Sequence, residues 1–177
     1  PVVFSHSSCR TTANHPRNVP DDVLARLPEN GGVVMINFFS GFVVPEATQI
    51  YNERFAMTRE LEAQFPDDEA EVDRRLAAWA IKNPMPRGTI HHVLDHIEHA
   101  VEIAGPDHVG LGSDYDGVSV LPTQLDDAST YPYLTQGLLD RGYSEVVIKK
   151  ILGENALRVF REVENEAKRL AEVATTP

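Results

Sequence analysis

The chain has 177 residues with 12 Pro, 11 Gly and a single Cys, and its 16 basic and 27 acidic side chains leave a formal charge of −11. That length suits one domain with a sizeable core, since a chain of about 150 residues buries roughly 70% of its unfolded surface. The acidic balance argues against binding a nucleic-acid phosphate backbone, and the lone Cys9 excludes an intramolecular disulfide framework and argues against a cysteine-built zinc site.

The chain opens at Pro1-Val2-Val3-Phe4, directly in a strand-like run, with no initiator Met, signal peptide or charged lead-in. The expectation is a processed, cleaved or truncated piece of something longer. Ser5-His6-Ser7-Ser8 then reads as a polar loop after a short buried strand. Pro20-Asp21-Asp22 suits a helix start, with Val23, Leu24 and Leu27 as its apolar face. Gly31-Gly32 breaks the chain before residues 33–39, which are apolar on both faces as in a parallel strand covered by helices. The apolar stretch 31–44 is interrupted by Asn37 and Ser40 and is shorter than the ~20 residues of a membrane helix. No membrane-spanning segment is expected; the chain reads as soluble, with cytoplasm or export both open.

Residues 45–82 turn helical and charged, with Pro66-Asp67-Asp68 as a break between two helices. Asn83-Pro84-Met85-Pro86-Arg87-Gly88 is a stiff connector. Thr89 can cap the next helix, whose Ile90, Val93, Leu94, Ile97, Ala100, Val101 and Ala104 follow helical spacing until Gly105-Pro106. Residues 108–112 form another short strand ending in Ser113-Asp114-Tyr115-Asp116-Gly117. A long loop over 118–131 precedes helices near 132–141, 144–152 and 155–171. Strand and helix alternate as in an α/β fold. Three strands are too few for an eight-stranded barrel of ~250 residues, but fit part of one.

Polar groups at the C-terminal ends of parallel strands are where such folds build sites. His6 follows the first strand; Asp114 and Asp116 follow the third. A strand-end imidazole with a strand-end carboxylate fits a metal hydrolase. It equally fits a loop-capping His and a pair of turn aspartates before Gly117. His91, His92, His96 and His99 crowd one helix, and His92 and His96 stand at i, i+4 as in helical zinc motifs. The Glu of a metalloprotease pair is missing between them, so the cluster reads as structural or solvated. Cys9 reads as a small buried residue, His15 as a loop residue near the site mouth, and Asn37 as a hydrogen-bonding group across the strand ends.

The segments Pro1-Val2-Val3-Phe4-Ser5-His6-Ser7-Ser8, Pro16-Arg17-Asn18-Val19-Pro20-Asp21-Asp22-Val23-Leu24 and Gly31-Gly32-Val33-Val34-Met35-Ile36-Asn37-Phe38 stand out. With them go Leu94-Asp95-His96-Ile97, Val109-Gly110-Leu111-Gly112-Ser113-Asp114-Tyr115-Asp116-Gly117 and Asn155-Ala156-Leu157-Arg158-Val159-Phe160. In this order they resemble the membrane (renal) dipeptidase family of dinuclear zinc peptidases. Residues 45–87 match only loosely and look like the longer helical insert of bacterial members. The resemblance implies an α/β fold, the C-terminal part of a (β/α)8 barrel, whose two Zn2+ ions share a bridging carboxylate and a bridging water or hydroxide. It implies His6 as a metal ligand, Arg17 as the group that grips the dipeptide carboxylate, and Asp114 as the catalytic aspartate, acting on a proton or holding the substrate amine. The His-x-Asp, bridging Glu, further ligand His and substrate-binding His of the family have no counterpart here. The expectation is therefore the C-terminal half of a zinc-dependent dipeptidase, tolerant of a C-terminal D-residue, inactive without the N-terminal half as partner. A homodimer is an open assembly. Two rivals stay open: a barrel metallohydrolase for amides or lactams, and a non-catalytic barrel fragment.

Overall fold

In the computed structural model, which describes residues 1–175, β1 (Val3–Ser7), β2 (Val33–Ile36) and β3 (Val109–Leu111) form one parallel sheet in that order. Phe4 lies beside Val34, Val34 beside Val109 and Ile36 beside Leu111. Parallel neighbours in register point to one face, so these five side chains enter a single core. The helices fill its other side with Leu24, Leu27, Leu94, Ile97, Leu134 and Ile151. Val33 and Met35 point the other way, beside Gly110. β1 and β3 are the sheet's edges, and Val2 and Val3 are 47% and 41% exposed.

The crossover from β1 to β2 carries two short turns, α1 (Asp21–Leu24) and α2 (Leu27–Asn30), where the sequence suggests one helix. Pro28 in the first turn of α2 has no N–H to continue the ladder of α1, and Gly31 ends α2 in the left-handed region at φ 75°. The β2–β3 crossover is longer: α3 (Ser40–Val43), α4 (Pro45–Gln64), α5 (Glu69–Lys82) and α6 (Ile90–Ala104). α4 and α5 are the expected helical segment, broken at Pro66. Asp68 caps α5 by accepting from the Glu71 N–H at 3.0 Å. Leu61, Val72 and Leu76 form a small cluster of their own between these helices, apart from the main core.

α6 buries Ile90, Val93, Leu94, Ile97, Ala100 and Ala104, the stripe its spacing requires. After β3 the irregular stretch is fastened by Arg87, which pairs with Asp126 and donates to the Leu121 carbonyl at 2.7 Å. α7 (Tyr131–Asp140) and α8 (Glu145–Lys149) follow, and a π-type turn, Lys150–Glu154, leads into α9 (Asn155–Thr175). Asn155 fixes the start of α9 on β3 by donating to the Pro106 and Val109 carbonyls, both at 2.8 Å. The arrangement is α/β. No helix among the described residues is long and apolar enough to cross a membrane.

Candidate active site

Because all three strands run parallel, their C-terminal ends make one rim. β1 carries a register shift there: Phe4 pairs with Val34, yet Ser7 pairs with Ile36. The extra residue at Ser5–His6 breaks the alternation, the kind of irregularity that re-aims a side chain. The His6 ring is held at both nitrogens, Nε2 2.8 Å from an Arg17 guanidinium nitrogen and Nδ1 2.7 Å from Ser5 Oγ. Arginine only donates, so Nε2 is the accepting nitrogen. The ring proton then resides on Nδ1 and is donated to Ser5. His6 thus presents a lone pair at the rim, and Arg17 occupies it.

Arg17 is exposed, but its position is constrained from three sides. Its guanidinium lies 5.2 Å from the centre of the Phe42 ring. Its backbone N–H donates to His15 Nδ1 at 3.1 Å, and its carbonyl accepts from Ser7 Oγ at 3.1 Å. His15 is buried, stacked on Phe42 at 4.3 Å and tilted against Tyr51 at 5.3 Å. Burial first, then the charges of Arg17 and Arg10, hold this imidazole down at about 4, so it is neutral at pH 7.

Asp114 follows β3 with φ 62°, a left-handed conformation that Asp tolerates better than most residues. Its Oδ2 accepts from Asn37 Nδ2 at 3.2 Å. Asn37 is fully buried at the end of β2, and its backbone N–H donates to the Ser7 carbonyl at 3.0 Å. One side chain therefore ties the Asp114 carboxylate to the strand end that carries His6. Two glycines make the approach possible: a Cβ at Gly112 would strike the Ser5 carbonyl, and one at Gly117 would strike Asp114 Oδ1. Asp116 is exposed beyond this network.

The remaining candidates have structural duties. His92 Nδ1 accepts the Thr89 N–H at 3.1 Å, closing the start of α6. His96 is fully buried; its Nδ1 accepts the Cys9 N–H at 3.0 Å and its Nε2 donates to the Val43 carbonyl at 3.2 Å. Burial holds its imidazole down at about 4. His99 pairs with Asp21 at 2.8 Å, and Asp95 pairs with Arg141 at 2.5 Å. The Cys9 thiol donates to the His96 carbonyl at 3.3 Å, and burial, with Asp21 adding to it, pushes the thiol up to about 12. It is no nucleophile.

A metal ion needs more than this chain offers. His6 is a donor of the right kind, but no group of three or more His, Cys, Asp or Glu converges among the described residues. One imidazole does not make a metal site. Sequence reasoning brought out His6, Arg17 and Asp114 but gave His15 and Phe42 no part in holding Arg17. His15 is flanked by the polar Asn14 and Pro16, and nothing local signals that its ring is buried.

The chain matches the family described as membrane dipeptidase (Peptidase family M19) over residues 1–174 and belongs to it. It is 37% identical over 172 residues to dipeptidase verJ of Clonostachys rogersoniana, an alignment covering 97% of this chain and 34% of that protein. The crystal structure of the probable dipeptidase PvdM from Pseudomonas aeruginosa superposes with a TM-score of 0.75 at 26% identity, covering 93% of this chain and 45% of that one. A metallo peptidase from Rhodobacter sphaeroides, liganded with a phosphinate mimic of the dipeptide L-Ala-D-Ala, superposes with a TM-score of 0.62 at 25% identity, covering 88% and 34%. The chain thus spans about a third of the length of the curated relative.

Proposed function

We propose that this chain is the C-terminal part of a (β/α)8-barrel, zinc-dependent dipeptidase, spanning residues 1–177 with a helical insert near 45–87, and completed by an N-terminal half outside it. The substrates are small dipeptides, including those with a C-terminal D-residue. The observation that carries this reading is the Arg17 guanidinium 2.8 Å from the accepting nitrogen of His6 on a rim shared with Asp114. Family membership and the ligand of the Rhodobacter relative support the substrate class.

In this reading His6 is one metal ligand, and the others belong to the missing half. Bound zinc supplies an acidified water and a polarised carbonyl. Arg17, when it leaves His6, offers its planar fork to the dipeptide carboxylate in two parallel hydrogen bonds. Asp114 either takes the proton of the attacking water and passes it to the leaving amine, or holds the substrate amine; Asn37 fixes one of its oxygens in either role. Gripping both ends of the substrate limits its length to two residues.

The test is Arg17→Ala in the complete, metal-loaded protein, assayed on a dipeptide and on its C-terminal amide. The expected loss in kcat/KM on the dipeptide is about 2–4 kcal/mol, since an anion loses its charged partner. Arg17→Lys restores little of it, and the amide is hardly affected. Undiminished dipeptide hydrolysis in Arg17→Ala would favour an amide or lactam hydrolase instead.

A further inference from the structure

We propose that His15 is the positioning residue that sets where the Arg17 guanidinium rests, and through it the preference for a substrate with a free carboxylate. The inference rests on the dipeptidase reading for its substrate, but not for its geometry. Arg17 is exposed on a loop, and a free arginine side chain samples many rotamers. Something has to confine it if it is to meet a carboxylate in one orientation.

His15 meets Arg17 by two routes. Its Nδ1 accepts the Arg17 backbone N–H at 3.1 Å, an i to i+2 contact that closes the turn through Pro16. Its ring stacks at 4.3 Å on Phe42, whose face also lies 5.2 Å from the Arg17 guanidinium. One imidazole therefore anchors both the backbone from which the arginine springs and the aromatic shelf on which its head lies. His15 is itself immobile: its N–H donates to the Ala13 carbonyl at 2.8 Å, and its carbonyl accepts from the Asn18 N–H at 3.0 Å. Phe42 is pinned in turn, with its carbonyl accepting from Asn18 Nδ2 at 2.8 Å. A neutral ring is required, because a protonated Nδ1 could not accept and would repel the guanidinium. The burial described above keeps it neutral.

Two variants separate the routes. His15→Phe keeps the stack and removes the accepting nitrogen; His15→Asn keeps an acceptor for the Arg17 N–H and removes the stack. In the complete metal-loaded protein, His15→Phe is expected to raise KM for a dipeptide roughly two- to tenfold, the value of one hydrogen bond. In that variant kcat stays within about twofold and KM for the dipeptide amide does not move. His15→Asn recovers part of the loss. A second readout needs no substrate: the Phe42 ring is expected to shift the Arg17 side-chain protons upfield in NMR spectra, and in His15→Phe they are expected to move toward their random-coil positions. Wild-type KM together with wild-type Arg17 shifts in His15→Phe would overturn the proposal. So would an equal rise in KM for dipeptide and amide, the mark of general loosening. If Arg17→Ala itself leaves dipeptide KM unchanged, the substrate reading fails, and the Arg17 shifts alone decide whether His15 positions it.

Discussion

His6 and Arg17 meet at one lone pair, the guanidinium donating to His6 Nε2 at 2.8 Å. Asp114 depends on its surroundings in a similar way. Asp114→Asn in the complete protein is expected to lower kcat by about 10²-fold or more if the carboxylate moves a proton. Gly117→Ala, whose Cβ would collide with Asp114 Oδ1, shifts kcat the same way by a smaller factor; steady-state kinetics of both variants checks this. Buried His15 and His96, both held down at about 4, tie stability to pH. Below about 6.5 the unfolded chain takes up protons that the folded chain refuses until about 4. Stability is therefore full above 6.5 and falls as the pH drops from 6.5 to 4, by up to roughly 3 kcal/mol per histidine. Denaturant unfolding at pH 7 and pH 4.5 is expected to show this loss, and His96→Gln to lessen it. At this scale the sequence singles out His6 and Asp114 by their places near strand ends and Arg17 only through the family resemblance; the structure puts His6 inside β1, not after it, and brings it against Arg17. The work of His15 was not, because it depends on Phe42 arriving from beyond β2.

Among the elements, α6 was the most legible, since its buried stripe and its Thr89 start both follow from spacing and local chemistry. The α4–α5 pair was also readable from its charge, its periodicity and Pro66. Its packing was not: Leu61, Val72 and Leu76 close on each other and not on the main core. Leu76→Ala should cost about 2 kcal/mol locally. Protease cutting near Phe65–Asp68 is expected to quicken several-fold, with little change in global unfolding. An equal loss in both would show that the hairpin and core unfold as one unit. The short turns α1 and α2 escaped the sequence reading because Leu27 continues the apolar pattern across a break that only the backbone around Pro28 imposes. The π-type turn before α9 escaped it for a similar reason: no periodic signal marks the place where Asn155 ties down a helix start.

As a whole, the molecule is an open three-stranded parallel sheet with apolar side chains exposed on an edge strand. Parallel sheets are ordinarily covered on both faces. A groove of about 390 Å³ lies beside the start of β1, lined by Val2, Phe4, Val23 and Leu27 and by the polar Arg26, Glu29 and Asn30. The α/β class was legible from the alternation of elements; the exposure of Val2 and Val3 on the edge strand was not, because an apolar run by itself does not show which strand ends up at an edge. The isolated chain is expected to keep no zinc through dialysis and to leave dipeptides intact, whereas the complete protein keeps about two ions per barrel. Elemental analysis of both preparations measures this difference.

The central claim is that His6, Arg17 and Asp114 form one side of a metal-dependent dipeptide site. Anomalous diffraction at the zinc edge from crystals of the complete protein, grown with zinc and a non-hydrolysable dipeptide analogue, tests it most directly. An anomalous peak is expected on His6 Nε2, with the Arg17 guanidinium released to the analogue's carboxylate and Asp114 beside the reacting centre. Zinc bound elsewhere while Arg17 still caps His6 would contradict it.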